Sequence, residues 1–206
     1  MTATTVEWAA GRSTAVVAHG GEGTPVLLAH GAGTAQHHPL VTGLAVALVS
    51  VGLRVWTFDY PYKAEGRGAP DRAETLIASH RAVADHLRQH IGRPPVLAGR
   101  SMGGRMATMV AALDHTVPAV VAYGYPLHPP GRPDRLRIEH LPAVMAPMLF
   151  VRGERDVFSQ PELFDTYIRT LAGATVIDVA GEDHSLRKPA TVALIARETN
   201  EFLSGL

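Results

Sequence analysis

The chain has 206 residues with 19 basic and 19 acidic side chains, and 46% of its residues are hydrophobic. This length and composition are typical of a globular protein with one sizeable core, so the sequence predicts a single domain over residues 1–206. Balanced charge without like-charge runs argues against a nucleic-acid partner. The absence of cysteine excludes disulfides, a thiolate nucleophile and cysteine-ligated metal centres, and it favours a cytoplasmic location.

No part of the sequence is typical of export or of insertion into a membrane. Glu7 and Arg12 interrupt the N-terminal region where a signal peptide has an unbroken apolar stretch. The longest uncharged apolar segment, residues 40–53, is shorter than the roughly 20 residues that span a bilayer. We therefore expect neither an export signal nor membrane insertion, and we interpret this segment as a buried core helix.

Short apolar runs along the chain alternate with longer stretches of helical periodicity. Residues 4–8 and 13–18 predict an antiparallel pair of strands that turns at Gly11. Continuous apolar runs suit strands buried on both faces of a parallel sheet. Six such runs follow: residues 25–30, 53–59, 95–98, 119–123, 148–152 and 174–179. The alternation predicts an α/β fold, with a mostly parallel central sheet and helices on both faces.

Two apolar stripes at three- and four-residue spacing predict helices between the strands. One consists of Leu76, His80, Val83 and Leu87, and the other of Leu163, Phe164, Tyr167, Ile168 and Leu171. Pro39 and Pro161 lie where helices are expected to begin, since a first-turn proline loses no hydrogen bond. A final helix is predicted over residues 190–202. The proline-rich stretch 125–142 is the least regular, and we expect it to form a loop over the functional site.

The most specific chemical signal is a G-x-S-x-G motif at residues 99–103, directly after the predicted strand 95–98. A serine on a tight strand-to-helix turn needs small neighbours on either side, and Gly99 and Gly103 meet that need. Gly104 would let the following helix pack closely on the sheet. The motif predicts Ser101 as a nucleophile at a helix N-terminus, where free amides favour an oxyanion.

A second signal, His-Gly-Ala-Gly at residues 30–33, follows the predicted strand 25–30 and is typical of an oxyanion loop. The expected oxyanion donors are the backbone amides of Ala32 and Met102. Two glycines would let the backbone approach the substrate: Gly31 and Gly33. The alternative is a phosphate-binding turn, but Gln36 stands where a dinucleotide fingerprint has glycine, and no G-x-x-x-x-G-K-[ST] motif occurs.

A serine nucleophile needs a histidine base and a carboxylate that orients it, in the chain order serine, acid, histidine. His184 is the histidine beyond the last predicted strand. Asp156 follows the strand 148–152 at the carboxyl edge of the sheet, where ligands bind in open α/β sheets. Its nearest rival is Glu154. Asp178 would lie within a strand, and Asp183 is too close to the histidine to orient it.

Other histidines and arginines leave alternatives open. His37 and His38 follow the glycine loop and are candidates for substrate contact, but adjacent histidines converge poorly on one ion and H-E-x-x-H is absent. We predict no metal and no cofactor. Arg100 and Arg105 flank the serine turn, where each would either bind an acidic group of the substrate or form a structural ion pair.

Four motifs carry a resemblance to a known family: HGAG at residues 30–33, GRSMGG at 99–104, GERD at 153–156 and EDHS at 182–185. Through them the chain resembles the α/β-hydrolase superfamily over nearly its full length. The sequence of the serine turn is similar to that of the KANL/Tex hydrolase-like group, which is close to the dienelactone-hydrolase-like proteins. The resemblance implies a minimal α/β-hydrolase fold with little or no cap. Dienelactone hydrolases use cysteine where this chain has Ser101, so their substrate is not carried over.

Together these features predict a serine hydrolase that cleaves a carboxylic ester of a small acyl substrate through an acyl-enzyme. A thioesterase, an amidase or a peptidase would use the same residues. A different class, a non-catalytic hydrolase-fold binding module, is opposed by the candidates at all three triad positions. We expect a monomer or a homodimer.

Overall fold

The structure is a computed structural model that describes residues 2–206. One eight-stranded sheet runs through it in the order β1-β2-β4-β3-β5-β6-β7-β8. The strands are β1 (Thr2–Ala9), β2 (Arg12–Gly20), β3 (Pro25–Ala29), β4 (Arg54–Phe58), β5 (Val96–Arg100), β6 (Val120–Tyr123), β7 (Met148–Gly153) and β8 (Ala174–Val179). The strands β3 to β8 are parallel, whereas β2 is antiparallel to both of its neighbours.

All eight predicted strands are present, and the predicted pair β1 and β2 is antiparallel. Gly11, between them, has a φ of 68°, a left-handed conformation that suits glycine in a tight turn. The apolar runs explain the central strands, and every residue of β3 is buried. The same reasoning is wrong for β8, where only Val179 is buried, because β8 is an edge strand.

Helices cover both faces of the sheet, as predicted. They are α1 (Pro39–Ser50), α2 (Pro61–Ala64), α3 (Ala73–Ile91), α4 (Met102–Ala111), α5 (Pro161–Tyr167) and α6 (Pro189–Ser204). Helices α1 and α6 share one apolar layer with the sheet, and α3 and α4 share the other. Pro39 and Pro161 each begin a helix. The second predicted stripe runs past the end of its helix, since α5 ends at Tyr167.

The connection between β6 and β7 is where a hydrolase of this topology would carry a cap. Residues 124–147 contain only one short 3-10 turn, Leu141–Ala143, and otherwise form an irregular loop. This confirms the prediction of a minimal α/β-hydrolase fold without a helical cap. Within residues 2–206 none of the helices combines the length and the apolar character that crossing a membrane requires.

His80 is fully buried in α3, where its Nδ1 lies 3.0 Å from the Tyr60 hydroxyl and its Nε2 has no hydrogen-bond partner. Burial lowers the pKa of His80 from 6.5 to about 3. Between these pH values the unfolded chain binds a proton that the folded chain does not. The free energy of unfolding therefore decreases as the pH falls from 6.5 toward 3. The contribution of neutral, buried His80 to this free energy is fully present only above pH 6.5.

We expect His80→Gln to flatten the acid limb of the stability curve. The slope of the unfolding free energy between about pH 4.5 and pH 6 should fall by up to about 1.4 kcal/mol per pH unit, the contribution of one proton. Urea denaturation at a series of pH values measures this slope. His90→Gln, at an exposed position of the same helix, is the matched control. Equal slopes in the wild type and His80→Gln would contradict the assignment.

Candidate active site

Ser101 lies where β5 passes into α4, at the carboxyl edge of the sheet. Its φ of 50° and ψ of −115° are strained for a residue with a Cβ. The amide of Ser101 donates a hydrogen bond to the carbonyl of Tyr123 at 2.8 Å, which ties this turn to β6. The sharp turn presents the serine hydroxyl to a cavity rather than to the core.

Close backbone contacts explain why small residues surround the serine. A Cβ at Gly99 would lie 2.2 Å from the carbonyl carbon of Gly103, and a Cβ at Gly103 would lie 2.6 Å from the carbonyl oxygen of Ala29. At Gly104 it would lie 3.1 Å from Ala122, so this glycine lets α4 pack closely on the sheet. These close contacts confirm that the turn requires small residues next to Ser101.

The three predicted triad residues come together in one hydrogen-bonded chain. His184 Nε2 lies 2.8 Å from Ser101 Oγ, and His184 Nδ1 lies 2.8 Å from Asp156 Oδ2. An ionised carboxylate can only accept hydrogen bonds, so Nδ1 carries the proton and Nε2 is free to accept from the serine hydroxyl. This is the geometry needed for a base that activates a nucleophile.

Asp156 is held in a buried position behind the histidine, with none of its side chain exposed. Its Oδ1 accepts a hydrogen bond from the amide of Phe158 at 2.9 Å. The Ser159 hydroxyl lies 3.4 Å from Oδ2 and donates to the carbonyl of Tyr125 at 2.6 Å. The Phe158 ring packs edge-on against His184 with 4.6 Å between the ring centroids. These contacts restrain both the carboxylate and the imidazole.

The rejected acids lie elsewhere. Glu154 is exposed, and its Oε2 accepts from the amide of Gly181 at 2.8 Å. Asp178 lies in β8 and pairs with Arg152 at 2.7 Å. Asp183 accepts from the amide of Ser185 at 2.8 Å. Of these candidates, only Asp156 contacts the histidine.

The predicted oxyanion loop follows β3 directly and is fixed by its neighbours. The Tyr62 hydroxyl donates to the carbonyl of Ala32 at 2.8 Å, and the Thr34 hydroxyl accepts from the amide of Gly31 at 3.1 Å. Buried His30 accepts from the amide of Tyr60 through Nε2, so its Nδ1 donates to the carbonyl of Gly31 at 2.8 Å. Burial lowers the pKa of His30, which favours this neutral form.

The loop leaves its amides available to a substrate. The amide of Ala32 donates no hydrogen bond within residues 2–206, and that of Met102 is in the first turn of α4, where helical amides lack partners. Both residues line the cavity, as do Gly31 and Gly33. A Cβ at Gly31 would meet ordinary contacts, and one at Gly33 would meet open space, so the protein itself does not require glycine there. The oxyanion role stays a prediction.

A cavity of about 560 Å³ opens above Ser101. Its wall is largely apolar and includes Leu76 of α3, Met106 of α4 and Phe158. Pro126 and Pro130 belong to the irregular stretch 125–142, which contributes to the wall as predicted. This volume and composition are typical of a small-molecule site.

The other candidates for substrate contact, His37, His38 and Arg100, differ in their positions. His37 and His38 do not line the cavity, and His38 caps α1 by accepting from the amide of Leu40 at 3.2 Å. Arg100 forms no ion pair within residues 2–206. It is buried, and its Nη2 donates to the carbonyl of Ser185, which ties β5 to the loop that carries His184. Burial lowers the pKa of Arg100 to about 10, so it stays charged at neutral pH.

Sequence reasoning missed three contributors to this site: Tyr62, Phe158 and Arg137. Tyr62 follows β4 at the carboxyl edge of the sheet, and Phe158 follows Asp156 by two residues, so their proximity to the motifs was the available signal. Arg137 lies in the irregular loop and enters the cavity wall only through the tertiary fold. Within residues 2–206, no cluster of three or more histidine, aspartate or glutamate side chains is arranged to hold a metal ion.

Comparison with known proteins identifies the family. A family model described as an alpha/beta hydrolase domain matches residues 22–199. The chain therefore belongs to the α/β-hydrolase family, and the resemblance seen in its motifs is confirmed at that level.

Solved structures share the whole fold at low sequence identity. A dienelactone hydrolase from Anabaena variabilis superposes with a TM-score of 0.77 at 24% identity, over 99% of this chain and 96% of that one. An alpha-beta serine hydrolase homologue from Coxiella burnetii gives 0.77 at 17%, over 100% and 97%. A serine hydrolase described as lacking a lid, from Xanthomonas campestris, gives 0.74 at 21%, over 96% and 92%. These likenesses establish the fold alone.

Proposed function

We propose that this protein is a serine esterase that hydrolyses carboxylic esters of small acyl substrates through an acyl-enzyme. One observation carries the proposal. The hydroxyl of Ser101, on a strained turn at a cavity, lies 2.8 Å from a histidine whose other ring nitrogen lies 2.8 Å from a buried carboxylate.

In the first step, Ser101 Oγ attacks the ester carbonyl while His184 Nε2 takes the hydroxyl proton. The tetrahedral oxyanion would be held by the amides of Ala32 and Met102. As it collapses, the C–O bond to the alcohol breaks, and the imidazolium returns its proton to the leaving oxygen. Asp156 stabilises the imidazolium throughout.

In the second step, water attacks the acyl-enzyme with His184 again as base. The proton passes to the imidazole and then to Ser101 Oγ as the acyl bond to the serine breaks, which releases a carboxylic acid. These steps use only side chains and backbone amides of this chain. We also propose, from composition, that the protein works in the cytoplasm as a monomer or a homodimer.

Labelling with a fluorophosphonate tests the nucleophile directly. The folded protein should form a covalent phosphonyl adduct on Ser101, located by peptide mass analysis, because an activated serine displaces fluoride from such probes. Labelling should disappear in urea and in Ser101→Ala. Ser185→Ala, which removes another serine of the cavity wall, should still carry the adduct on Ser101. An unmodified Ser101 in folded protein would contradict the proposal.

A further inference from the structure

Three arginines line the cavity, and none of them pairs with a carboxylate within residues 2–206. Arg100 is buried and donates to the carbonyl of Ser185, and the other two are Arg105 and Arg137. Arg105 follows Ser101 by one turn of α4, and its Nε is buried without a hydrogen-bond partner. Within residues 2–206 its guanidinium pairs with no carboxylate. A partly buried guanidinium that lacks a carboxylate is unfavourable, because water is removed and nothing replaces it.

Arg137 enters the same cavity from the loop between β6 and β7. Its backbone is held in place, since its amide donates to the carbonyl of Leu127 at 2.8 Å and its carbonyl accepts from the Tyr125 hydroxyl at 2.6 Å. Its guanidinium also lacks a carboxylate partner among the described residues. Burial, followed by the charge of Arg105, lowers the pKa of Arg137.

Within residues 2–206 no carboxylate forms an ion pair with Arg105 or Arg137. Asp71 also lines the cavity; its Oδ1 accepts from Arg67 at 2.7 Å, and its buried Oδ2 has no hydrogen-bond partner among the described residues. His140 is kept neutral, since burial and then the charge of Arg105 lower its pKa to about 4. Glu139 is exposed. The cavity wall therefore carries three arginines and one carboxylate, Asp71, so a ligand in the cavity meets an excess of positive charge.

Resting on the proposed esterase function, we propose that the natural substrate is an ester carrying a carboxylate, which Arg105 and Arg137 bind while Ser101 attacks the ester carbonyl. Guanidinium groups match carboxylates in geometry and charge, and such pairs are strong where water is excluded. The charge pattern thus defines a substrate class, whereas the triad alone does not.

The backbone offset between Ser101 and Arg105 gives a first length for a test substrate. Arg105 lies four residues beyond Ser101, about 6 Å along the axis at a rise of about 1.5 Å per residue. An extended chain covers roughly 1.2 Å per bond. We take this backbone offset as the length of the first probe, with about five bonds between the carboxylate carbon and the ester carbonyl carbon, as in a monoester of adipic acid.

The test compares monoethyl adipate with ethyl hexanoate, in which a methyl group replaces the carboxylate. We expect kcat/KM at least about tenfold higher for the anionic ester in the wild type, since a charged hydrogen-bonded pair contributes about 1.5–3 kcal/mol. In Arg105→Gln and Arg137→Gln this ratio should fall about tenfold, and Arg105→Lys should restore part of it. Arg132→Gln, at an exposed arginine of the same loop that pairs with Asp134, is the matched control.

Three further esters extend the test. Ethyl 6-aminohexanoate should be the poorest substrate, because its cation faces the arginines. A second pair, 4-acetoxybutanoate against butyl acetate, places the carboxylate in the alcohol part at the same five-bond distance. Anionic preference in either pair supports the proposal and tells which part of the ester the arginines bind.

Failure of this inference is distinguishable from failure of the esterase function. Ratios at or below one for both pairs, with the neutral esters cleaved, would overturn the carboxylate specificity alone. So would unchanged ratios in both glutamine variants, or no turnover of either anionic ester by protein whose Ser101 is labelled. An unlabelled Ser101 together with no turnover of any ester would instead overturn the proposed function. Circular dichroism confirms that each variant is folded.

Discussion

Replacing Ser101 with alanine should lower kcat for ester hydrolysis by about 10⁴-fold or more, the scale seen when a triad nucleophile is removed. The loss falls on kcat because, in the part of the chain that the structure describes, Ser101 supplies the one hydroxyl hydrogen-bonded to His184 Nε2. Alanine carries the same Cβ as serine, so the strained φ of 50° is no worse tolerated and the fold should persist. Initial rates on ethyl hexanoate, with circular dichroism as the folding check, measure this.

The same assay decides which acid orients the histidine. Asp156→Asn should lower kcat by about 10⁴-fold, since a side-chain amide offers a donor to Nδ1 and favours the wrong tautomer. Glu154→Gln, two residues earlier on the same loop, should stay within about twofold, because Glu154 faces the amide of Gly181. A larger loss in Glu154→Gln than in Asp156→Asn would refute the assignment.

The second large effect is on folding. Gly99→Ala should destabilise the protein by about 3 kcal/mol or more, because its Cβ would lie 2.2 Å from a backbone carbon of Gly103 and 2.4 Å from the nitrogen of Gly104. Backbone atoms cannot move aside as a side chain can. For a chain of this length the melting temperature should fall by roughly 6–12 °C or more.

Gly43→Ala is the matched control for that substitution. Gly43 lies within α1, where a Cβ meets no atom within 4 Å. Alanine should therefore raise stability by up to about 1 kcal/mol through its better helix propensity. Calorimetry or urea denaturation of both variants compares them. Equal effects at the two positions would mean that the close approach of β5 and α4 is not what requires glycine at residue 99.

Much of the site could be predicted because its parts are local. The serine turn needs small residues within two positions of Ser101, and these residues can be read directly from the sequence around it. His184 stood out because it follows the last strand. What could not be predicted was how loops distant in sequence meet: the route by which Arg137 reaches the cavity and the hydrogen bond from Arg100 to Ser185.

By itself, the sequence determined the strands and most of the helices, the strand-to-helix turn at Ser101 and the order of the catalytic candidates, since periodicity and turn chemistry act between near neighbours. Only the tertiary structure decided that Asp156, rather than Glu154, hydrogen-bonds with His184, that β8 is an edge strand, and that Arg105 and Arg137 line one cavity without forming an ion pair among the described residues. Those outcomes depend on the direction of side chains from separate loops, which packing of the whole sheet sets.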